Sequence, residues 1–288
     1  MAAPIPGGAA SGFSYLPWSS PDLPHRQVWG TLWITFGRPA RRGPSHGGHR
    51  PYGGYGDGVH RVDLGLGSRL VPFQEGWELQ RRIHAEVAGG RRASTLLMVE
   101  HEAVYTVGRR AHSWERPDGD FVEPGHVPVV RVDRGGKTTW HGPGQLTVYP
   151  IVRLASPIDV VRYVRALEEA AIEVCARHGL AAIRVEGRSG VWVAAEPGSP
   201  RPARRLERKV CALGVRVARG VTMHGIGLNV DPDLSAFDLE RIVPCGIDDA
   251  GVTSLGAETG RHLSTGAPAN ALVSALENQL TPLVADTT

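Results

Sequence analysis

The alternation of apolar and polar positions along this chain changes character near residue 60. Before that point "GRPARRGPSHGGHRPYGGYGDG" has no helical or strand period and is rich in Gly, Pro and Arg, so it reads as a flexible tail. Inside it only "VWGTLWITFG" is apolar enough for a short strand. From "HRVDLGLG" onward the pattern is regular. In "VPFQEGWELQRRIHAEVAGG" Trp77, Leu79, Ile83 and Val87 fall roughly on one helical face, and Gly89-Gly90 supplies a stop. "STLLMVEH" and "LTVYPIV" are short apolar runs that suit buried strands. "SPIDVVRYVRALEEAAIEVCARHGL" predicts the clearest helix. Ser156 is its expected N-cap, with Pro157 in the first turn and Asp159 against the helix dipole. Val160, Val161, Val164, Leu167, Ala171 and Val174 form the expected stripe, with Cys175 at its margin and Gly179 closing the helix.

"AAIRVEGRSGVWVAA", "KVCALGVRVARGVTMHGIGLNV" and "GVTSLG" predict further strands between glycine turns, and "APANALVSALENQLTPLV" a last helix. "EPGSPRPARRLER" reads as a polar surface loop. Short strands, hairpins and a few amphipathic helices point to a mixed α/β domain. The expected organisation is an N-terminal extension over 1–60 and a catalytic domain over 61–285. There is no regular βαβ alternation, no GxGxxG after a strand, and neither lysine has phosphate-loop spacing.

Composition narrows the class. Over 288 residues, 41% hydrophobic and 21% charged content are those of an ordinary soluble protein. No apolar run approaches the ~20 residues of a membrane span. The first residues lack the charged and apolar regions of a secretory signal, so a cytoplasmic location is expected. A net charge of +3 gives no reason to expect nucleic acid or a membrane surface as partner. Three cysteines do not make a disulfide framework, and Cys175, Cys211 and Cys245 are expected as reduced thiols. Among 32 basic residues only Lys137 and Lys209 are lysines. An arginine keeps its proton near neutral pH, whereas a lysine can release it and so serve acid/base work. Scarcity alone still leaves chance as the better reading.

Three segments carry candidate chemistry. "RVDRGGKTTWHGPGQLTVYP" joins Arg134, Gly135, Gly136 and Lys137 through Thr138, Thr139 and Trp140 to His141. Adjacent glycines admit a ligand close to the backbone, and successive N–H groups can converge on an anion; a tight turn with a bonded histidine explains the pattern equally well. In "VTMHGIGLNVDPDL" the alternating glycines leave one side of a strand without side chains, making room for a neighbouring backbone or an acyl chain. In "IVPCGIDDAGVTSL" Cys245 sits between Pro244 and Gly246, better placed for attack than a helix cysteine. An ordinary thiol, with a pKa near ~8.5, needs a basic neighbour to act at neutral pH. A metal set of Cys245, Cys211, His224 and His141 lacks the usual ligand spacing, so no metal is expected.

"RGGKTTWHGPGQLTVYP", then "GRSGVWV", "KVCALGVRV", "VTMHGIGLNV" and "VPCGI…GVTSL", in that order, resemble the motifs of the lipoate-protein ligase B family. The resemblance spans roughly residues 61–260. It implies a biotin/lipoate protein ligase-like catalytic domain, a mixed sheet flanked by helices. It also implies transfer of an octanoyl group from octanoyl-acyl carrier protein to a lysine of apo lipoyl domains. The acceptors implied are those of 2-oxoacid dehydrogenase complexes and the glycine cleavage H protein; no cofactor is implied. Residue by residue, Cys245 is the implied nucleophile and Lys209 its proton-handling partner. Arg134 to His141, Ala212-Leu213-Gly214 and Gly225-Ile226-Gly227 are the implied pocket, and Cys211 a bystander. The oxyanion donors expected are backbone N–H groups of the RGG loop or the one beside Cys245. The tail and the "EPGSPRPARRLE" insertion depart from the family pattern, and so does Gly227, which stands where alanine is expected and should widen the pocket slightly. Arg81-Arg82 and Arg109-Arg110 are candidate docking pairs for an acidic carrier, against a simple reading as solvated charge.

Overall fold

The computed structural model describes residues 59–196, 206–238, 241–242 and 250–285. The chain divides after Tyr52 into two units, and the described residues all belong to the second. The expected 1–60 extension therefore falls almost wholly outside the described residues, as do residues 197–205 of the expected surface loop and Cys245 itself.

The chain order is β1 His60–Asp63, α1 Phe73–Ala88, β2 Thr95–Val99, β3 Val104–Val107, β4 Phe121–Val122, β5 Val127–Arg131, β6 Thr138–His141 and β7 Gln145–Ile151. Then follow α2 Val160–Arg177, β8 Ile183–Val185, β9 Arg188–Val193, β10 Arg208–Ala218 and β11 Val221–Asn229. β12 Gly251–Val252, α3 Leu255–Thr259 and α4 Gly266–Leu280 complete it. The larger, mixed sheet runs β1-β2-β7-β11-β10-β9-β8, with β12 pairing β10, and a smaller sheet runs β4-β5-β3-β6.

Period-two alternation decides which side of the large sheet each residue serves. Leu96 and Met98 of β2, Leu146 and Val148 of β7, and Ile226 and Leu228 of β11 pack with α2 and α4 into one core. Their neighbours Leu97, Val99, Tyr149 and Ile151 turn to the opposite face, against Ile83 and Val87 of α1. That opposite face also carries the cavity described below.

Two helix expectations need correction. α2 begins at Val160, and its N-cap is Asp159, whose carboxylate accepts the Arg162 N–H at 2.9 Å; Ser156 and Pro157 precede the helix. A shorter side chain three residues further from the first turn cannot compete with an aspartate already beside it. The buried stripe is Tyr163, Ala166, Leu167, Ala170, Ala171, Val174 and Cys175, so Cys175 lies within it rather than at its margin. Val160 and Val161 are exposed. "GVTSLG" is strand only over Gly251–Val252; Ser254 accepts the Ala257 N–H at 3.1 Å and starts α3.

Candidate active site

A cavity of about 660 Å³ lies on the α1 face of the large sheet, walled by β10, β11, β6, β7 and the 109–112 and 134–137 segments. Strand alternation would put Lys209 and Cys211 on one face of β10. The register against β9 shifts between these two residues, in the manner of a β-bulge, and the parity changes there. Val210 and Cys211 enter the helix-side core, while Lys209, Ala212 and Gly214 line the cavity. Cys211 is fully buried, and desolvation pushes its thiol well above the ordinary range, which makes it inert packing.

Lys209 is buried, with Nζ 4.6 Å from the centroid of the Trp192 ring. Among the described residues it meets no carboxylate. Gly190 leaves room for its stem: with φ +116°, a Cβ there would sit 3.1 Å from Lys209 Cε and 2.8 Å from the Cys211 carbonyl. The Gly190 N–H donates to Glu168 at 3.1 Å, and this fully buried carboxylate is held by Arg165 at 2.6 Å and Arg184 at 3.1 Å. Sequence reasoning misses Trp192, Gly190 and Glu168 as parts of this wall. "SGVW" was the only local signal for the first two, and Glu168 lies in an unbroken helical pattern that gave none.

The other lysine lives differently. Lys137 is ion-paired with Glu115, itself buried, and the Thr138 hydroxyl donates to the Glu115 carbonyl at 2.8 Å. Arg134 binds the loop to its neighbours. It donates to the carbonyls of Gly135, Lys137 and Thr106 and to the Thr106 hydroxyl, all at 2.8–3.0 Å. One expectation narrows here and one residue falls elsewhere. The Gly135 N–H donates to the Val215 carbonyl at 2.9 Å, so it is committed to the sheet and cannot serve an oxyanion. Trp140 does not reach the cavity; it packs among Tyr105, Val122, Ala236 and Phe237, whose ring lies 5.4 Å away. Gly136, Lys137, Thr138, Thr139 and His141 do line the cavity, as does the Arg134 side chain.

The glycines of β10 and β11 make room for neighbouring groups of the protein, both side chain and backbone. A Cβ on Gly214 would come within 2.8 Å of Arg134 Cδ, and one on Gly225 within 2.3 Å of the Val148 carbonyl. One on Gly227 would come within 2.8 Å of Gln145 Oε1, so the space expected as extra pocket is filled by that carboxamide. Gln145 Oε1 accepts from His141 Nδ1 at 2.7 Å, and its Nε2 donates to Asn229 Oδ1 at 2.8 Å. The bond from Nδ1 assigns the His141 tautomer and leaves Nε2 as an acceptor.

Several buried rings surround His141. Burial, with the neighbouring His101 and Arg134 charges, pushes His141 down to about 3. Burial pushes His101 to about 4; its Nδ1 donates to the Val71 carbonyl at 3.0 Å, and its Nε2 accepts from Tyr149 at 2.8 Å. Both are neutral at physiological pH and act as dipoles, not as bases. His224 lines the cavity with φ +58° and donates from Nε2 to Asp133 at 2.8 Å; burial lowers its pKa despite that carboxylate. The other Asp133 oxygen pairs with Arg216.

The fold and this cavity define a class. The chain belongs to the lipoyl protein ligase A/B catalytic-domain family, whose model matches residues 72–277, and within it to the lipoate-protein ligase B branch. It is 56% identical over 201 residues to the octanoyltransferase of Thermobifida fusca, covering 70% of this chain and 81% of that protein. The octanoyltransferase of Mycobacterium marinum is 54% identical over 223 residues, covering 75% of this chain and 88% of its own. The crystal structure of lipoate-protein ligase A bound with ATP superposes with a TM-score of 0.56 at 16% identity, covering 78% of this chain and 86% of that one. The bi-partite lipoate protein ligase of Thermoplasma acidophilum gives 0.52 at 15% identity, covering 78% and 84%. These two share the fold, as the sequence motifs implied.

Proposed function

We propose that this acyltransferase moves an octanoyl group from the thioester of an acyl carrier protein to a lysine of a lipoyl domain, through a thioester on Cys245. The class of activity rests on relatives named octanoyltransferase at 53–57% identity. The observation that supports the roles is the contrast between the lysines: Lys137 is bound to Glu115, while Lys209 faces the cavity beside Trp192 without a carboxylate among the described residues.

In the first half-reaction the neutral Lys209 amine takes the Cys245 proton, and the thiolate attacks the donor's carbonyl carbon. The tetrahedral intermediate collapses, the carrier thiolate leaves, and Lys209 returns the proton to it. In the second, the acceptor lysine attacks the Cys245 thioester and passes a proton to Lys209 as the amide forms. Cys245 then leaves as thiolate, paired with the ammonium. With the Gly135 N–H committed to the sheet, the other N–H groups of the RGG loop and the one beside Cys245 are the oxyanion donors left of those expected.

The test combines octanoyl-carrier protein with an apo lipoyl domain without ATP, for wild type and Cys245→Ala. Wild type should octanoylate the domain and show a one-octanoyl adduct by intact mass, and the variant neither. A requirement for ATP would instead make the protein a ligase. Release of free octanoate would make it a hydrolase, and binding without turnover a carrier-binding module.

A further inference from the structure

The cavity carries more positive charge than an acyl chain explains. Its lining includes Arg109, Arg110, Arg134, Lys137, Arg188 and Lys209 and, among the described residues, no Asp or Glu. An octanoyl chain is uncharged, so it gives no reason for that imbalance. Two of these groups have their charge met within the protein, Arg134 by carbonyls and Thr106 and Lys137 by Glu115, and Lys209 lies against the Trp192 face. Arg188 has partners of its own, whereas Arg109 and Arg110 show none for their side chains among the described residues. Their backbone N–H groups donate to the carbonyls of Arg134 and Gly136, both at 3.1 Å, which fixes the segment against the RGG loop. Their side chains are exposed and meet no carboxylate among the described residues, whereas Arg61, Arg69, Arg92, Arg184 and Arg208 are all ion-paired. A guanidinium pair on a fixed backbone, at a cavity wall without carboxylates among the described residues, suits a phosphate, which each guanidinium can meet with two N–H donors.

We propose that Arg109 and Arg110 bind the phosphate of a phosphorylated thioester arm, the phosphopantetheine type, as its acyl end enters the cavity. This rests on the acyl-transfer reading above, and it separates recognition of the arm from recognition of the carrier's protein surface. The same phosphate chemistry could also come from a nucleotide.

The experiment compares octanoyl-pantetheine with octanoyl-phosphopantetheine as donors to an apo lipoyl domain, in wild type and in Arg109→Ala/Arg110→Ala. Binding of phosphopantetheine and of ATP to both proteins is measured by calorimetry. Wild type should show a KM lower by roughly tenfold or more for the phosphorylated donor. The double variant should lose that preference while keeping its KM for the unphosphorylated donor, and Arg109→Lys/Arg110→Lys should keep part of it. Equal KM values in wild type, or a preference that survives the double substitution, would overturn the assignment. Should neither donor be used, the acyl-transfer reading fails, and calorimetry still decides the phosphate site. Arginine-dependent phosphopantetheine binding supports it, whereas arginine-dependent binding of ATP alone assigns the phosphate to a nucleotide and overturns the donor arm.

Discussion

The two walls of the cavity that carry a lysine are built on opposite plans. Around Lys137 every strong group is committed: the ammonium to Glu115, Arg134 to three carbonyls and a hydroxyl, His141 to Gln145. Around Lys209 the side chain is framed by a ring face, a glycine and a shifted strand register, and the rigid polar contacts stand one layer behind, at Glu168. Lys137, matched by a buried carboxylate, ties its loop to Glu115 and serves structure. Lys209, against the Trp192 face and without a carboxylate among the described residues, keeps its amine on the cavity wall, which suits the proton-transfer role proposed above.

Exchanging each lysine for arginine breaks or sharpens that contrast, and this carries the largest expected effect. Lys209→Arg should lower turnover by roughly 10²- to 10⁴-fold, the usual worth of a positioned acid/base, with the melting temperature nearly unchanged. Lys137→Arg keeps a cation beside Glu115 and should leave turnover within a few-fold of wild type. Comparable losses in both, measured as single-turnover rates with octanoyl-carrier protein, would show that the two lysines do the same work.

Acid should affect stability through the histidine wall first. His101 and His141 are buried neutral, with folded pKa values of about 4 and about 3 against 6.5 unfolded. Between those values the unfolded chain binds more protons than the folded one, so stability falls as pH drops from about 6.5 towards 4. The pair accounts for a loss of a few kcal/mol, absent above neutral pH. Denaturant unfolding across that range measures it. His101→Gln should flatten the slope, and an unchanged slope would mean that other groups carry the acid sensitivity.

Much of the fold was legible because burial follows periods that the sequence displays. β2, β7 and the β10–β11 hairpin fall where apolar runs and glycine turns predict them. The misreadings come from places where a local competitor decides. Asp159 displaced Ser156 as cap, and Ser254 turned a short strand into a helix. The extra residue in β10 is the more instructive case, because one register shift separates Lys209, which meets the cavity, from Cys211, which enters the core, and nothing in "RKVCALG" announces it. Motif order gathered Lys209, the RGG segment and the two glycine triads, since order survives whatever the register does. It could not separate Trp140, which serves packing, from His141, which meets the cavity one residue later.

The smallest effect tests what the missing side chain at 227 is for. If Gly227 enlarges the acyl site, Gly227→Ala should shift preference among hexanoyl, octanoyl and decanoyl donors and leave stability alone. The contacts argue otherwise. The new methyl would lie 2.8 Å from Gln145 Oε1 and 3.0 Å from its Cδ, and that carboxamide also holds His141 and Asn229. It must therefore move by a few tenths of an ångström and stretch those bonds, a cost of about 1 kcal/mol for an overpacked site. The expected outcome is a melting temperature lower by a few degrees with chain-length preference unchanged. Gln145→Ala in the same background should remove the added cost of the methyl, because the group it strikes is gone. A shifted chain-length preference at constant melting temperature would return Gly227 to the acyl site and leave Gln145 a bystander.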